Sequence, residues 1–232
     1  MKGGGAGEGG LSWSRLNEAR RAVRGRWPTI WKLAVIPRSM RHAAAQIRPP
    51  ERVLDLGASD GRFGRRLPEG VVYETLDVDP MVKARYRSFD EVPSGAFDVV
   101  SCFETIEHLT LDEACALLAG AARALRAGGR LYVSTPNIHH PWAYLRSATH
   151  RTPFCYDELG GLIEMHGFAL DSLFRCHKDA VLKGALRRLA YPIYRIVGVD
   201  WAKSILAVAS SKGLDRLRER NDSGREFPDK QG

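Results

Sequence analysis

The chain reads as an α/β fold, a doubly wound sheet of seven strands with an N-terminal helical extension. Three observations lead there. From residue 52 onward, short apolar runs alternate with segments of helical period, the pattern of a sheet covered on both faces. Residues 53–64 run from an apolar stretch through Gly57 and Gly61 into a basic-apolar segment, a strand–turn–helix junction. The length, 232 residues with 44% hydrophobic, suffices for one full core with appendages.

Residues 1–10 are Gly-rich without apolar period and are expected to form a disordered tail. Residues 11–50 form a basic helical extension. Its first part, 11–26, reads as a helix ended at Trp27-Pro28. Its second carries Ile30, Leu33, Ala34, Met40, Ala44 and Ile47 at near-helical spacing, broken at Pro37. Residues 51–212 are the domain proper. Strands are expected at 53–56, 71–76, 86–89 (brief), 97–103, 130–134, 168–176 and 204–210, the last antiparallel. A helix is expected after the glycine turn through Arg66, a reduced one after Pro80, and full ones over 111–125 and 156–166. Residues 136–153 read as a long loop. Residues 181–197 are amphipathic, with Leu182, Leu186, Leu189 and Ile193 opposite Lys183, Arg187 and Arg188. Residues 213–232 are a polar C-terminal tail.

Charge is unevenly placed. The formal net charge is +8, yet residues 53–177 hold more acids than bases, while both flanks are basic. Basic flanks suit an anionic partner such as nucleic acid, membrane headgroups or a phosphorylated substrate, or are plainly solvated helix faces. Cys102, Cys115, Cys155 and Cys176 lie far apart with no C-x-x-C pair, which signals neither a zinc site nor a disulfide framework and fits a reducing, cytoplasmic setting. No apolar run reaches the ~18–20 residues of a membrane span.

The glycine spacing is G-x-x-x-G-x-x-G, not the G-x-G-x-x-G of a dinucleotide loop, with Ser59 where the middle glycine would stand. That leans away from a pyrophosphate and toward another nucleoside ligand. Asp55 precedes the turn, and Asp77 falls at the end of the second strand, 20 residues after Gly57. Residues 53–61 resemble the first motif of class I S-adenosylmethionine-dependent methyltransferases. Residues 97–109, from Phe97-Asp98 to Glu104, Glu107, His108 and Leu109, resemble that family's fourth-strand motif. Residues 125–137, with Gly128-Gly129 and Ser134-Thr135-Pro136-Asn137, resemble its fifth. The order and spacing hold over about residues 50–212.

The resemblance implies a Rossmann-like methyltransferase sheet, S-adenosyl-L-methionine as cofactor, and methyl transfer to a small-molecule acceptor, most simply an oxygen of a phenol, sugar or lipid-linked intermediate. It implies Gly57, Ala58, Ser59 and Gly61 beside the methionine part, Asp55 ordering the loop or meeting the amino group, and Asp77 with Val78 at the ribose, whose diol a carboxylate suits. Phe103 and Glu104 border the same site. Asp79 is expected to cap the following turn.

Glu104, His108 and His150 are the candidate catalytic groups, a base being needed for a hydroxyl nucleophile. Glu104, Glu107 and His108 stand at E-x-x-E-H spacing with His150 further on. This set resembles metal-assisted O-methyltransferases of quinone biosynthesis and small-RNA 2′-O-methyltransferases, so a divalent ion on Glu104, Glu107, His108 and His150 is an option, though not the favoured one. Trp142, Tyr144, Phe154 and Tyr156 are candidates for an apolar acceptor wall or for core, and His139 and His140 for its rim. The alternatives left open are an RNA 2′-O-methyltransferase, a non-catalytic cofactor-binding module, a nicotinamide enzyme lacking the usual glycines, and peripheral membrane contact through residues 181–197.

Overall fold

The computed structural model describes residues 12–177 and 190–212. The two tails and most of the 181–197 segment lie outside these residues.

Helix α1 (Trp13–Arg26) starts at Ser12, whose hydroxyl faces the Arg15 amide at 3.5 Å, and buries Leu16 and Val23. It packs on α5 (Tyr156–Met165), where Gly160 and Gly161 permit the approach: a Cβ on Gly161 would lie 3.1 Å from the Arg20 backbone nitrogen. Several cations of the extension are held at this contact. Arg20 and Arg24 meet Asp157 at 3.2 and 3.5 Å, and Arg26 meets Glu164 at 2.9 Å.

The next stretch departs from its helical spacing. Ile30–Lys32 is a single 3₁₀ turn, Ala34–Ile36 is strand β1, and only Ser39–Ala44 is helical, as α2. Two β-branched residues, Val35 and Ile36, precede Pro37, which disfavours helix at the residue before it. Strand β1 lies parallel to β6 (Phe168–Cys176), Ala34 opposite Phe174.

The remaining strands are β2 (Arg52–Leu56), β3 (Val72–Leu76), β4 (Phe97–Phe103), β5 (Leu125–Pro136) and β7 (Ser204–Ser211). The order is β1-β6-β7-β5-β4-β2-β3; β7 runs antiparallel to both β5 and β6, and the other pairs are parallel. Val53, Val99 and Tyr132 are buried on one face of the sheet, Leu54, Val100 and Leu131 on the other. Helix α3 (Leu111–Ala124) begins with a capping box, Thr110 and Glu113 each bonding the other's backbone amide. Short helices α4 (Pro141–Leu145) and α6 (Tyr191–Ile196) complete the described elements.

Seven strands are present, but one is not where the periodicity placed it. No strand forms at 86–89; Tyr86 makes one bridge to Leu76 and Phe89–Glu91 is a 3₁₀ turn. The Arg87 guanidinium instead staples the preceding loop through the carbonyls of Asp77, Asp79 and Val82. Strand β1 makes up the count at the opposite edge. The expected helix after the glycine turn is also missing: turns lead to a 3₁₀ segment at Gly64–Arg66. Between Gly61 and Pro68 only Phe63 is fully buried, and Gly64 presses on the Tyr73 ring, where a Cβ would lie 2.5 Å away. One buried residue is too little apolar face to hold a helix rich in exposed arginine.

Candidate active site

The carboxyl ends of β2, β3 and β4 meet at one rim, where ligands bind in open α/β sheets. Leaving β2, Gly57 adopts φ +66° and donates its amide to the Leu76 carbonyl at 2.9 Å. Thr105, just past β4, closes against it; a Cβ at Gly57 would lie 2.4 Å from Thr105 Cγ2. Ser59 also takes a left-handed φ, 46°, which explains why a glycine would be usual there. Its amide donates to Asp77 Oδ2 at 3.0 Å, and the Asp79 amide donates to Asp77 Oδ1 at 3.0 Å. Asp77 therefore ties the glycine turn to the β3 loop while each of its oxygens keeps a second lone pair. Asp79 caps the next turn, accepting from the Met81 amide at 2.9 Å.

Asp55 faces inward. Tyr73 Oη and Ser101 Oγ each donate to its carboxylate at 2.7 Å, and burial pushes its pKa up to about 6. It is placed to order the loop from beneath. Ala58 and Phe103 are buried, Phe103 stacking on Phe63 with centroids 4.7 Å apart, and Val78 is exposed. A cavity of about 700 Å³ lies beside Ala58, Ser59 and Gly61, bounded by Tyr73, Thr75 and Lys83.

Glu104 turns the chain at the end of β4 with φ 51°. Its amide donates to the Ser134 carbonyl at 2.9 Å, and Ser134 Oγ donates to Glu104 Oε1 at 2.7 Å. Burial raises the Glu104 pKa. Ile106–His108 is a 3₁₀ turn, so Glu104 and Glu107 do not share an α-helical face. Glu107 is fully buried; Thr135 Oγ1 donates to its Oε2 at 3.3 Å, while Oε1 has no hydrogen-bond partner among the described residues. Burial first, and the Glu104 charge second, push its pKa up to about 8.

The Glu107 carbonyl accepts from the Arg151 and Thr152 amides at 2.8 and 3.1 Å, which brings the 145–153 loop over the turn. His108 and His150 then meet edge to face, 4.9 Å between centroids. His150 Nδ1 lies 2.6 Å from the Tyr144 carbonyl and His108 Nδ1 lies 3.2 Å from that of Thr149. A carbonyl only accepts, so both Nδ1 atoms donate and each neutral ring keeps its lone pair on Nε2. Ligand atoms of Glu107, His108 and His150 can all lie within 4.8 Å of one another. Glu104 falls outside that trio.

The aromatic residues divide. Phe154 and Tyr156 are core, Tyr156 Oη donating to the Trp27 carbonyl at 2.9 Å, whereas Tyr144 lies against His150 and Trp142 is exposed. His139 Nδ1 sits 3.2 Å from the Gly198 carbonyl, away from the trio. Buried contacts join Asn137, the last residue of the fifth-strand motif, to two residues with no local sequence signal: Asn137 Nδ2 donates to Asp200 Oδ2 at 3.0 Å, and Arg175 pairs with Asp200 Oδ1 at 3.2 Å. Ser134, Thr135 and Thr105 lie within the quoted fifth- and fourth-strand motifs, but the sequence assigns their hydroxyls no role, since hydroxyl residues at strand ends are common.

A glycine turn closed by a threonine, an aspartate at the end of the neighbouring strand β3, and a group of acids and imidazoles past β4 meet along the carboxyl edge of the sheet. Residues 32–173 match the methyltransferase domain family. The chain belongs to that family. Among characterised relatives it is similar to the ubiquinone biosynthesis O-methyltransferases of Xanthomonas axonopodis pv. citri, 27% identical over 45% of this chain and 51% of that protein, and of Sodalis glossinidius, 28% identical over 41% and 45%. The match thus spans about half the length of these relatives. In structure it resembles a SAM-dependent methyltransferase from Archaeoglobus fulgidus, with TM-score 0.63, 15% identity, and coverage of 86% of this chain and 100% of that one. A methyltransferase of Haloferax volcanii, solved with the activator Trm112, has TM-score 0.56 and 15% identity, covering 87% and 99%. Among the described residues no helix is long and apolar enough to cross a membrane.

Proposed function

We propose that this enzyme methylates an oxygen of a small-molecule acceptor. The observation that carries the reading is the edge-to-face pairing of His108 and His150 past the end of β4, each with Nδ1 on a backbone carbonyl so that the neutral ring has Nε2 as its acceptor. S-adenosylmethionine, when bound, supplies a methyl carbon activated by positive sulfur. Gly57, Ala58, Ser59 and Gly61 hold its amino-acid end, and the close fit of Gly57 on Thr105 keeps that turn free of side chains. Asp77 accepts from the ribose hydroxyls with the lone pairs that the Ser59 and Asp79 amides leave, and Val78, Phe103 and Glu104 flank it. Asp55 supports the loop from inside.

An imidazole Nε2 takes the acceptor's hydroxyl proton, and Glu104 orients that hydroxyl or the resulting imidazolium. The low-dielectric rim strengthens both contacts. The naming of the relatives as O-methyltransferases agrees with an oxygen acceptor. The test is methyl transfer to a panel of catechols, sugars and polyprenyl phenols. His150→Gln and His108→Gln should lower kcat about 10²-fold or more with S-adenosylhomocysteine affinity kept; unchanged kcat in both would remove the base from this reading.

One observation favours a metal-assisted version: the buried Glu107 Oε1 has no hydrogen-bond partner among the described residues, and Glu107, His108 and His150 each bring a ligand atom within 4.8 Å of the others. Glu107, His108 and His150 fit a divalent ion, which would lower the pKa of an acceptor hydroxyl. Mn²⁺ or Zn²⁺ should then raise the melting temperature of the wild type but not of Glu107→Gln. Equal effects on the two proteins, with activity surviving chelation, would retire it.

A further inference from the structure

A second cavity, of about 370 Å³, has Ser204 in its wall, next to Glu104. Its wall comes from separate pieces of chain: the β1–α2 turn, the 3₁₀ turn after the glycine loop, the end of β6 and the start of β7. Arg38, Arg41, Arg62, Arg66 and Lys203 line it, and among the described residues no carboxylate does. Arg62 is paired with Asp60 at 3.2 Å. Arg38, Arg41, Arg66 and Lys203 form no ion pair among the described residues, in contrast to the arginines of α1 that are spent on α5. Like charges gathered from four segments, with no counter-charge among the described residues, cost electrostatic self-repulsion, which an anionic ligand would relieve.

The cofactor does not account for them. S-adenosylmethionine carries one carboxylate against an ammonium and a sulfonium, so its net charge is positive, and a single cation would answer its carboxylate. The cavity also connects to the chemistry: Ser204, part of its wall, hydrogen-bonds the Glu104 carboxylate. We propose that this cavity binds a phosphate or pyrophosphate group carried by the methyl acceptor, held by Arg38, Arg41, Arg66 and Lys203 so that the acceptor's hydroxyl points toward Glu104. The inference rests on the oxygen-methyltransferase reading above and adds the chemical class of its acceptor. Arginine forks suit the bidentate geometry of phosphate oxygens, and several exposed cations acting together give what one alone would not.

The test titrates pyrophosphate into the full chain saturated with S-adenosylhomocysteine, followed by calorimetry. Saturable binding is expected, weakened about threefold to tenfold by each of Arg41→Gln, Arg66→Gln and Lys203→Gln. Arg15→Gln and Arg21→Gln, on α1 away from the cavity, should leave it unchanged. Vesicles separate the sources of the phosphate. Retention on phosphatidic acid but not phosphatidylcholine, lost in the cavity variants, indicates a lipid headgroup, while pyrophosphate binding without retention indicates a soluble phosphate ester; both support the site. Neither pyrophosphate binding nor selective retention would overturn it. So would equal weakening by the α1 variants, or a single-stranded oligoribonucleotide bound more than tenfold tighter than pyrophosphate, which would assign the cations to RNA. A loss of S-adenosylhomocysteine affinity in Arg41→Gln and Arg66→Gln with pyrophosphate binding intact would return those arginines to the cofactor and overturn their place here. Should wild type fail to bind S-adenosylhomocysteine, the methyltransferase reading itself is at fault, and the pyrophosphate titration of the cofactor-free protein still decides the anion site.

Discussion

Replacing Gly57 by alanine tests the tight closure of the cofactor loop. The new Cβ would lie 2.4 Å from Thr105 Cγ2, 2.5 Å from Oγ1 and 3.0 Å from Cβ, far inside contact distance. The backbone there sits at φ +66°, where an L side chain costs about 1–2 kcal/mol. Overpacking adds roughly 1–3 kcal/mol, so Gly57→Ala should destabilise by about 2–5 kcal/mol. Thr105→Ala removes the two nearest atoms and leaves only the 3.0 Å approach. It also loses the hydroxyl's bond to the Phe103 carbonyl, 3.2 Å, worth about 1 kcal/mol. The double variant should thus be more stable than the sum of the single effects by about 1–3 kcal/mol, the φ cost remaining. Urea unfolding of the four proteins measures this, and S-adenosylhomocysteine calorimetry should show affinity lost in Gly57→Ala and partly restored in the pair. Effects additive within about 0.5 kcal/mol would refute a direct Gly57–Thr105 contact.

Two further outcomes concern buried charge. The Asp55 pKa is raised from 3.8 to about 6, so the folded state holds its proton more tightly than the unfolded one. The resulting cost is absent below about pH 3.8, grows as pH rises to about 6, and is constant above, amounting to about 3 kcal/mol. Asp55→Asn should therefore gain on wild type by about 2 kcal/mol between pH 4 and 6 in chemical unfolding, and a difference that does not change with pH would refute the assignment. Asp200→Ala strands Arg175 in the core and should cost about 3–5 kcal/mol, whereas a loss under 1 kcal/mol would show that water reaches the pair.

The parts of the fold readable in sequence are those where local and tertiary preferences agree. Strand β4 is an apolar run in the middle of the sheet, and α3 carries both an apolar face and a capping box. The third strand and the helix after the glycine turn were misread because their apolar content is thin. Tyr86 stands between exposed arginines, and Phe63 alone is buried between Gly61 and Pro68. Strand β1 was hidden by residues that also fit a helical period, and partnership with β6, some 140 positions away, decided for strand. In the site, glycines, Asp77 and the E-x-x-E-H spacing were visible because they recur at fixed offsets. The tautomers of His108 and His150, the orphaned Glu107 oxygen and the cation-lined cavity depend on contacts between distant segments. The basic extension illustrates the limit: its net charge was legible, but not that Arg20, Arg24 and Arg26 are spent on α5 while Arg38 and Arg41 face a cavity.

The central claim is that the cofactor lies on the Gly57 turn with its ribose on Asp77. The most direct measurement is a calorimetric titration of S-adenosylhomocysteine into wild type and Asp77→Asn, with the fold of the variant checked by circular dichroism. One site per chain is expected in wild type, weakened at least tenfold in Asp77→Asn, because the amide keeps one acceptor where the carboxylate offers two. Absence of binding to wild type, or equal affinity in a folded variant, would contradict the account.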